Sequence, residues 1–351
     1  DFIQIKLIIV GKEKEITIVD VLREAETVHK PVKRIVVLAT ESAEVLRALN
    51  AEDKVVGVAT SIRERPGNKA FLPELSKLPG VGSSWRLDYE AVLNLDPDVL
   101  LPFGVWSTGG AESKREYKEK LTGVTIISLD LTRPDDFAEN VRKLGYILDK
   151  EEEAEMLINW LDKYDNKIKS RTEGLSDDEK PQVFLWCFYT LGGGYRTACK
   201  GNNIDRICNI AGGRNIAADL PGGWWPTVDP EWVVEQNPDI IVTHGGGAAG
   251  YHTDDPSEMK AMREEVMNRP ELANVNAVKN RKVYRISTSQ GGLTSGAGSL
   301  IAIAYYGKWL HPDLFVNLDP QAIHQEYLDK FHKDLNFNVY EHGVFVYPEP
   351  S

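Results

Sequence analysis

Only three cysteines occur in 351 residues, Cys187, Cys199 and Cys208, and all fall in one stretch. Their spacing fits neither a CxxC metal site nor a disulfide framework, so buried or loop thiols with at most one bridged pair are expected. Positive charge is also short: 41 Lys and Arg stand against 53 Asp and Glu, a net −12. A nucleic-acid binder would carry a basic face, and none is visible. Long apolar runs are missing, since a stretch such as Ile35 to Ala39 is far too short to cross a bilayer. The opening residues, Asp1 to Val10, lack the pattern of a signal peptide. No GxSxG elbow, Walker A loop or HExxH helix is present, and Gly192-Gly193-Gly194 lacks the GxGxxG spacing.

What is present suits two ordinary cores, given this length and 42% hydrophobic content. Residues 1–30 alternate apolar and polar side chains (Ile3, Ile5, Leu7, then Ile16, Ile18) and predict a small N-terminal β annex. Short β-branched runs follow: Arg34 to Leu38, Val55 to Ala59, Val99 to Phe103, Thr125 to Leu129, Val183 to Phe188, Ile240 to Thr243 and Val283 to Ile286. Helical spacing separates them, which predicts an α/β fold with two Rossmann-like lobes and mainly parallel sheets. Residues 135–172 predict a short helix and then a long one over Glu151–Arg171. About 20 helical residues span ~30 Å, a rigid strut between lobes. The expected division is annex 1–30, first lobe 31–134, helical connector 135–180, second lobe 181–310 and C-terminal helical tail 311–351.

One motif is written twice. Leu87 to Gly104 reads LDYEAVLNLDPDVLLPFG, and Val228 to Gly245 reads VDPEWVVEQNPDIIVTHG, aligned without a gap. Asp88 matches Asp229, Glu90 matches Glu231, and Pro97-Asp98 matches Pro238-Asp239. Each copy predicts an Asp capping a short helix, a Glu in the first turn where the helix dipole favours it, and a Pro-Asp turn. A buried strand and a glycine loop then follow. Helix start and strand end fall at the carboxyl edge of the sheet, where open α/β sheets bind ligands.

On these residues the chain resembles the periplasmic binding proteins that serve ABC importers of iron-siderophores, haem and cobalamin. Beyond the doubled motif, the similarity rests on the opening strand-helix-strand from Ile16 to Ala59, on ICNIAGGRNIAADL, and on AVKNRKVYRIS. The sequence departs from the family at Arg23-Glu24, where Gly-Arg is common. The resemblance implies that Glu90 and Glu231 dock on arginines of a membrane permease, that one long helix joins the lobes, and that an ATPase is a further partner. It implies a monomer, no enzymatic activity, and a periplasmic or extracellular location with a lipid or membrane anchor in the precursor.

The ligand is expected between the lobes, where strand-end loops gather aromatic and cationic groups. These are Arg63, Trp85, Arg86, Phe103 and Trp106 in the first half, and Tyr189, Tyr195, Arg196, Trp224, Trp225, His244 and Tyr251 in the second. Aromatic faces suit conjugated or catecholate ligands and arginines suit carboxylate-rich chelates. A ferric chelate leads the expectation, with a corrinoid or haem next and no intrinsic cofactor. His244 and His252 invite a metal reading, but the first half offers no histidine beyond His29 to complete a site. Nitrogenase-type metalloproteins, which spread cluster-binding cysteines over several loops, fit poorly; a sensor reusing the fold is the third alternative.

Overall fold

A computed structural model describes residues 5–10, 13–83, 85–103, 110–187, 194–221, 225–245, 249–288 and 293–350. The chain divides into two compact units, Asp1–Trp160 and Leu161–Ser351.

The first unit opens with β1 (Ile5–Val10), β2 (Glu13–Val19) and β3 (Ala25–Lys30), an antiparallel meander in that order. Strand alternation turns Glu26, Val28 and Lys30 inward on β3. The two charged residues tolerate burial because each is paired, Glu26 with Lys114 at 2.6 Å and Lys30 with Asp149 at 2.5 Å. Next come β4 (Ile35–Val37), α1 (Thr40–Ala48), β5 (Val55–Val58), α2 (Thr60–Glu64) and α3 (Pro66–Phe71). The hairpin β6 (Gly82–Ser83) and β7 (Arg86–Leu87) leads into α4 (Tyr89–Asn94), β8 (Val99–Leu101), α5 (Gly110–Lys120) and β9 (Thr125–Ile126). Four strands pair in the order β5-β4-β8-β9, all parallel, which agrees with the buried β-branched runs. Val36, Leu38, Val81, Val92, Leu100, Tyr117 and Ile126 fill the core on one face.

Helix α6 (Pro134–Leu148) stops at Asp149, which takes a left-handed φ of 55°. Helix α7 (Glu151–Thr172) then runs across the division between the units. The second unit continues with β10 (Gln182–Trp186), β11 (Tyr195–Arg196), α8 (Asn203–Ile210), β12 (Arg214–Asn215), β13 (Thr227–Val228), α9 (Pro230–Gln236) and β14 (Ile240–Gly245). After α10 (Ser257–Met267) and α11 (Asn276–Lys279) come β15 (Val283–Ser287), α12 (Gly298–Leu310), α13 (Pro320–Phe331) and β16 (Val346–Tyr347). The sheet order is β12-β10-β14-β15-β16, parallel except for β16. Helix α12 is apolar nearly all round and is buried along almost its whole length.

The three cysteines are free thiols, all buried. Burial pushes the Cys187 and Cys208 thiols well above their ordinary value. Among the described residues no helix is long and apolar enough to cross a membrane.

Candidate ligand and docking site

Both copies of the doubled motif fold the same way, for visible reasons. In the first, Asp88 Oδ1 accepts from the Ala91 amide at 3.0 Å and caps α4. In the second, Asp229 forms no such side-chain bond, contrary to the expected cap; Pro230 at the first helical position sets the helix start instead. A left-handed residue stops each helix, Asp96 at φ 43° just past the cap of α4 and Asn237 at φ 46° at the cap of α9, the residue types that after glycine bear that backbone best. Asp98 Oδ2 accepts from the Lys33 and Arg34 amides at 2.6 and 2.8 Å, and Asp239 Oδ2 accepts from the Gln182 amide at 3.0 Å. Each aspartate thus ties the start of its strand to the start of the neighbouring one, β4 or β10. Val92 and Val233, the inward residues of the two helices, are fully buried.

This frame fixes where the helix starts lie. Val81 donates from its amide to the Val58 carbonyl at the end of β5, and Asp88 donates to the Val81 carbonyl. In the second unit the Cys187 amide, just past β10, donates to the Arg196 carbonyl, and β11 pairs with β13. The starts of α4 and α9 therefore sit at the carboxyl edges of their own parallel sheets. Glu90 and Glu231 are both exposed there, and neither forms an ion pair or hydrogen bond among the described residues.

Cationic and aromatic groups gather at the same edges. Arg63 is exposed on α2 and its guanidinium lies over Gly80, where an added Cβ would stand 3.0 Å from Nη1. The β6–β7 turn presents Arg86 and Trp85, the latter 82% exposed. Arg196 is exposed beside half-buried Trp225, whose carbonyl accepts from Arg196 Nε at 3.4 Å.

Residues 35–289, most of the chain, match the periplasmic binding protein family. The chain belongs to this family. It is 26% identical over 306 residues to YvrC of Bacillus subtilis, named an uncharacterized ABC transporter substrate-binding lipoprotein, covering 86% of this chain and 87% of the relative. A cobalamin-binding protein of Halobacterium salinarum is 26% identical over 230 residues, 64% of this chain and 57% of that protein. The fold is shared with the TroA-like periplasmic binding protein FepB of Veillonella parvula, with a TM-score of 0.78, 22% identity and coverage of 94% and 98%.

In this periplasmic binding protein, several residues expected to face a ligand are turned into the core instead. Tyr195 is 5% exposed, stacks on Trp186 with centroids 4.1 Å apart, and donates its hydroxyl to Glu271 at 2.9 Å. Burial raises its pKa to about 12, with the Glu271 carboxylate adding to the shift and the Arg269 cation opposing it. His244 has no exposed surface; its Nε2 pairs with the Tyr306 hydroxyl at 2.5 Å. Burial and the nearby Arg285 charge hold that imidazole down at about 3, so it is neutral at physiological pH. Tyr251 is also buried, its hydroxyl 2.7 Å from His324 Nε2 and its ring edge-on to Phe337 and Phe345. The reason is common to all three. A large side chain with a polar tip is stable inside when that tip finds a partner, and each does. Phe103 is intermediate, half-buried against the first unit's core. Trp106, Tyr189 and Trp224 lie outside the described residues.

The partners Tyr306 and His324 carry no signal at their own positions. They stand 62 and 73 residues from the side chains they satisfy. Among the described residues no group of three or more His, Cys, Asp or Glu is placed to hold a metal ion.

Proposed function

We propose that this chain is the substrate-binding component of an ABC importer, working outside the cytoplasm as a monomer, without catalysis, and delivering to a permease driven by an ATPase. One observation carries the reading: two exposed carboxylates, Glu90 and Glu231, at equivalent places of a duplicated frame, each at the carboxyl edge of its sheet. Charges this exposed add little to stability, so their repetition points to a partner. The name of the Bacillus relative, an ABC transporter substrate-binding lipoprotein, supports the same assignment and an anchored form. In this scheme the two glutamates each meet one cation of the permease. Replacing both by Ala abolishes uptake in cells carrying the whole importer and leaves ligand affinity intact. Unimpaired uptake, or loss of ligand affinity, refutes the assignment.

The cargo is a bulky anionic metal chelate of the ferric siderophore type. Exposed Arg63, Arg86 and Arg196 supply donor forks for carboxylate or catecholate oxygens, and Trp85 and Trp225 supply flat apolar faces. Trp106, Tyr189 and Trp224 belong to the same candidate set by sequence position. A corrinoid is the second reading, supported by the Halobacterium relative named for cobalamin. Titrations of intrinsic fluorescence with a ferric catecholate, a ferric hydroxamate, cyanocobalamin and haemin separate the two. Failure of all four to bind below about 10 μM rules out both.

A further inference from the structure

The doubled frame repeats more than a carboxylate. From Asp88 to Pro97 and from Asp229 to Pro238, exposed, half-buried and buried residues follow one another in the same order at every position. Within that shared pattern Leu93 is 45% exposed and Val234 is 37% exposed, and these two residues occupy equivalent places. Each follows a fully buried valine, Val92 or Val233, so the helix has already supplied its core contact. Each stands three residues after the docking glutamate, on the same helix face. A single exposed aliphatic side chain is ordinary on a protein surface. Two at matched positions, each one turn from an unpaired carboxylate, are a repeated composite surface.

We propose that Leu93 and Val234 are the apolar halves of two matched docking patches, completed by Glu90 and Glu231, for a membrane partner that offers two equivalent sites. Each such site pairs a cationic side chain with a neighbouring apolar recess. The inference rests on the importer reading above and specifies the surface the partner must present. Charge complementarity sets the partner's sign: Leu87–Asp98 and Val228–Asp239 each contain four acidic residues and no Lys or Arg. Duplication of the patch sets the partner's symmetry, because two like surfaces call for two like receivers. The aliphatic residue supplies what the carboxylate lacks. An exposed ion pair contributes little and fades with salt, whereas apolar contact beside it excludes water and persists.

The test measures binding of the full-length chain to the complete importer, permease and ATPase, held in nanodiscs. At about 0.15 M salt the double variant L93S/V234S binds roughly tenfold more weakly than the parent. Its remaining binding falls more steeply as salt rises, while L93M/V234I binds as the parent does. Thermal unfolding and cyanocobalamin or ferric chelate affinity of the free protein stay unchanged, since both side chains are exposed and outside the candidate ligand set. If L93S/V234S docks normally while E90A/E231A does not, the apolar half of the patch is refuted and the charge reading stands. If both double variants dock normally, the importer reading itself fails. A change in sedimentation of the free protein on L93S/V234S would assign the patches to self-association and overturn the proposal.

Discussion

Lys114 on α5 is the point where the N-terminal meander is locked to the first unit. Its ammonium is 1% exposed and meets three carboxylates, Asp20 at 2.5 Å, Glu26 at 2.6 Å and Glu24 at 2.9 Å. Burial opposes the charge on Lys114, but the three carboxylates outweigh it and hold its pKa above the ordinary lysine value. Asp20 is the critical partner: its side chain is fully buried and also accepts the Leu22, Glu24 and Ser128 amides. Lys114→Met keeps most of the stem's packing and removes only the charge. The Asp20 carboxylate is then left buried with its cation gone, a change that costs about 3–5 kcal/mol. At roughly 2–4 °C per kcal/mol for a unit of this size, the melting temperature should fall on the order of 10 °C.

Calorimetry on K114M and on K114M/D20N measures this. Neutralising Asp20 should recover a large part of the loss, because an amide oxygen still accepts from the turn amides and the other buried carboxylate, Glu26, keeps Lys118 at 2.5 Å. The pH dependence gives an independent reading. Hydrogen bonds from Lys114 and then Lys118 draw the Glu24 carboxyl down from 4.5 to about 2. A carboxyl depressed on folding stabilises above its unfolded pKa, and that gain is lost as pH falls from about 4.5 toward 2. In K114M this acid-sensitive limb should shrink. A melting point within a degree or two of the parent, or no recovery in the double variant, would refute the reasoning.

Three further outcomes are expected. Asp98→Ala and Asp239→Ala each remove the acceptor that joins two strand starts, and each should lower stability by about 1–2 kcal/mol in urea titrations, with Asp98, which takes two amides, costing more. Gly82→Ala places a Cβ 2.4 Å from the Arg86 carbonyl at a φ of 86°, so the turn carrying Trp85 and Arg86 must shift; ligand affinity should fall with it, and an unchanged fluorescence titration would remove that turn from the ligand site. His244 and His324, both held at about 3 by burial, bind no proton in the folded chain over a range where the unfolded chain does. Their contribution is complete above pH 6.5 and is lost as pH falls toward 3, about 2 kcal/mol for each at pH 5. Denaturant midpoints at pH 7.5 and 5 check this, and His324→Gln should weaken the dependence by about half.

The sheets were readable because a parallel strand buried on both faces must be a short, largely apolar run, as Val99–Leu101 is and as β14 is from Ile240 to Val242. The helix expected over Glu151–Arg171 appears over Glu151–Thr172 because neither proline nor glycine interrupts it. The doubled motif was readable because its grammar is local: a helix start, a left-handed stop and a Pro-Asp turn within a dozen residues. Side-chain direction at the strand ends was not, since it depends on partners far along the chain. Tyr306 on α12 decides His244, and His324 on α13 decides Tyr251. Lys114 and Asp20 are likewise 94 residues apart, and nothing local marks a lysine as buried. Leu93 and Val234 escape sequence reading for the opposite reason. Apolar residues in a helix suggest core, and only their exposure in the folded chain separates them from Val92 and Val233.

The strand-end difference between the two copies, Phe103 against His244, has a physical explanation that does not involve cargo. Phe103 leans on its own core, and His244 is sealed inside and bonded to Tyr306. Each residue answers to the packing of its unit. On the proposed reading, discrimination among chelates falls to groups that the duplication does not repeat, Arg63, the Trp85–Arg86 turn, and Arg196 with Trp225. This has a consequence. H244F/Y306F removes both polar tips together, which avoids leaving one unpaired inside, so it should be tolerated far better than Y306F alone, where the buried ring nitrogen loses its partner at a cost of about 1–3 kcal/mol. The double variant should keep the parent's order of preference among a ferric catecholate, cyanocobalamin and haemin, while Arg86→Ala should change it. Reversal of that pattern would return His244 to the ligand and make its burial a feature of the unliganded chain.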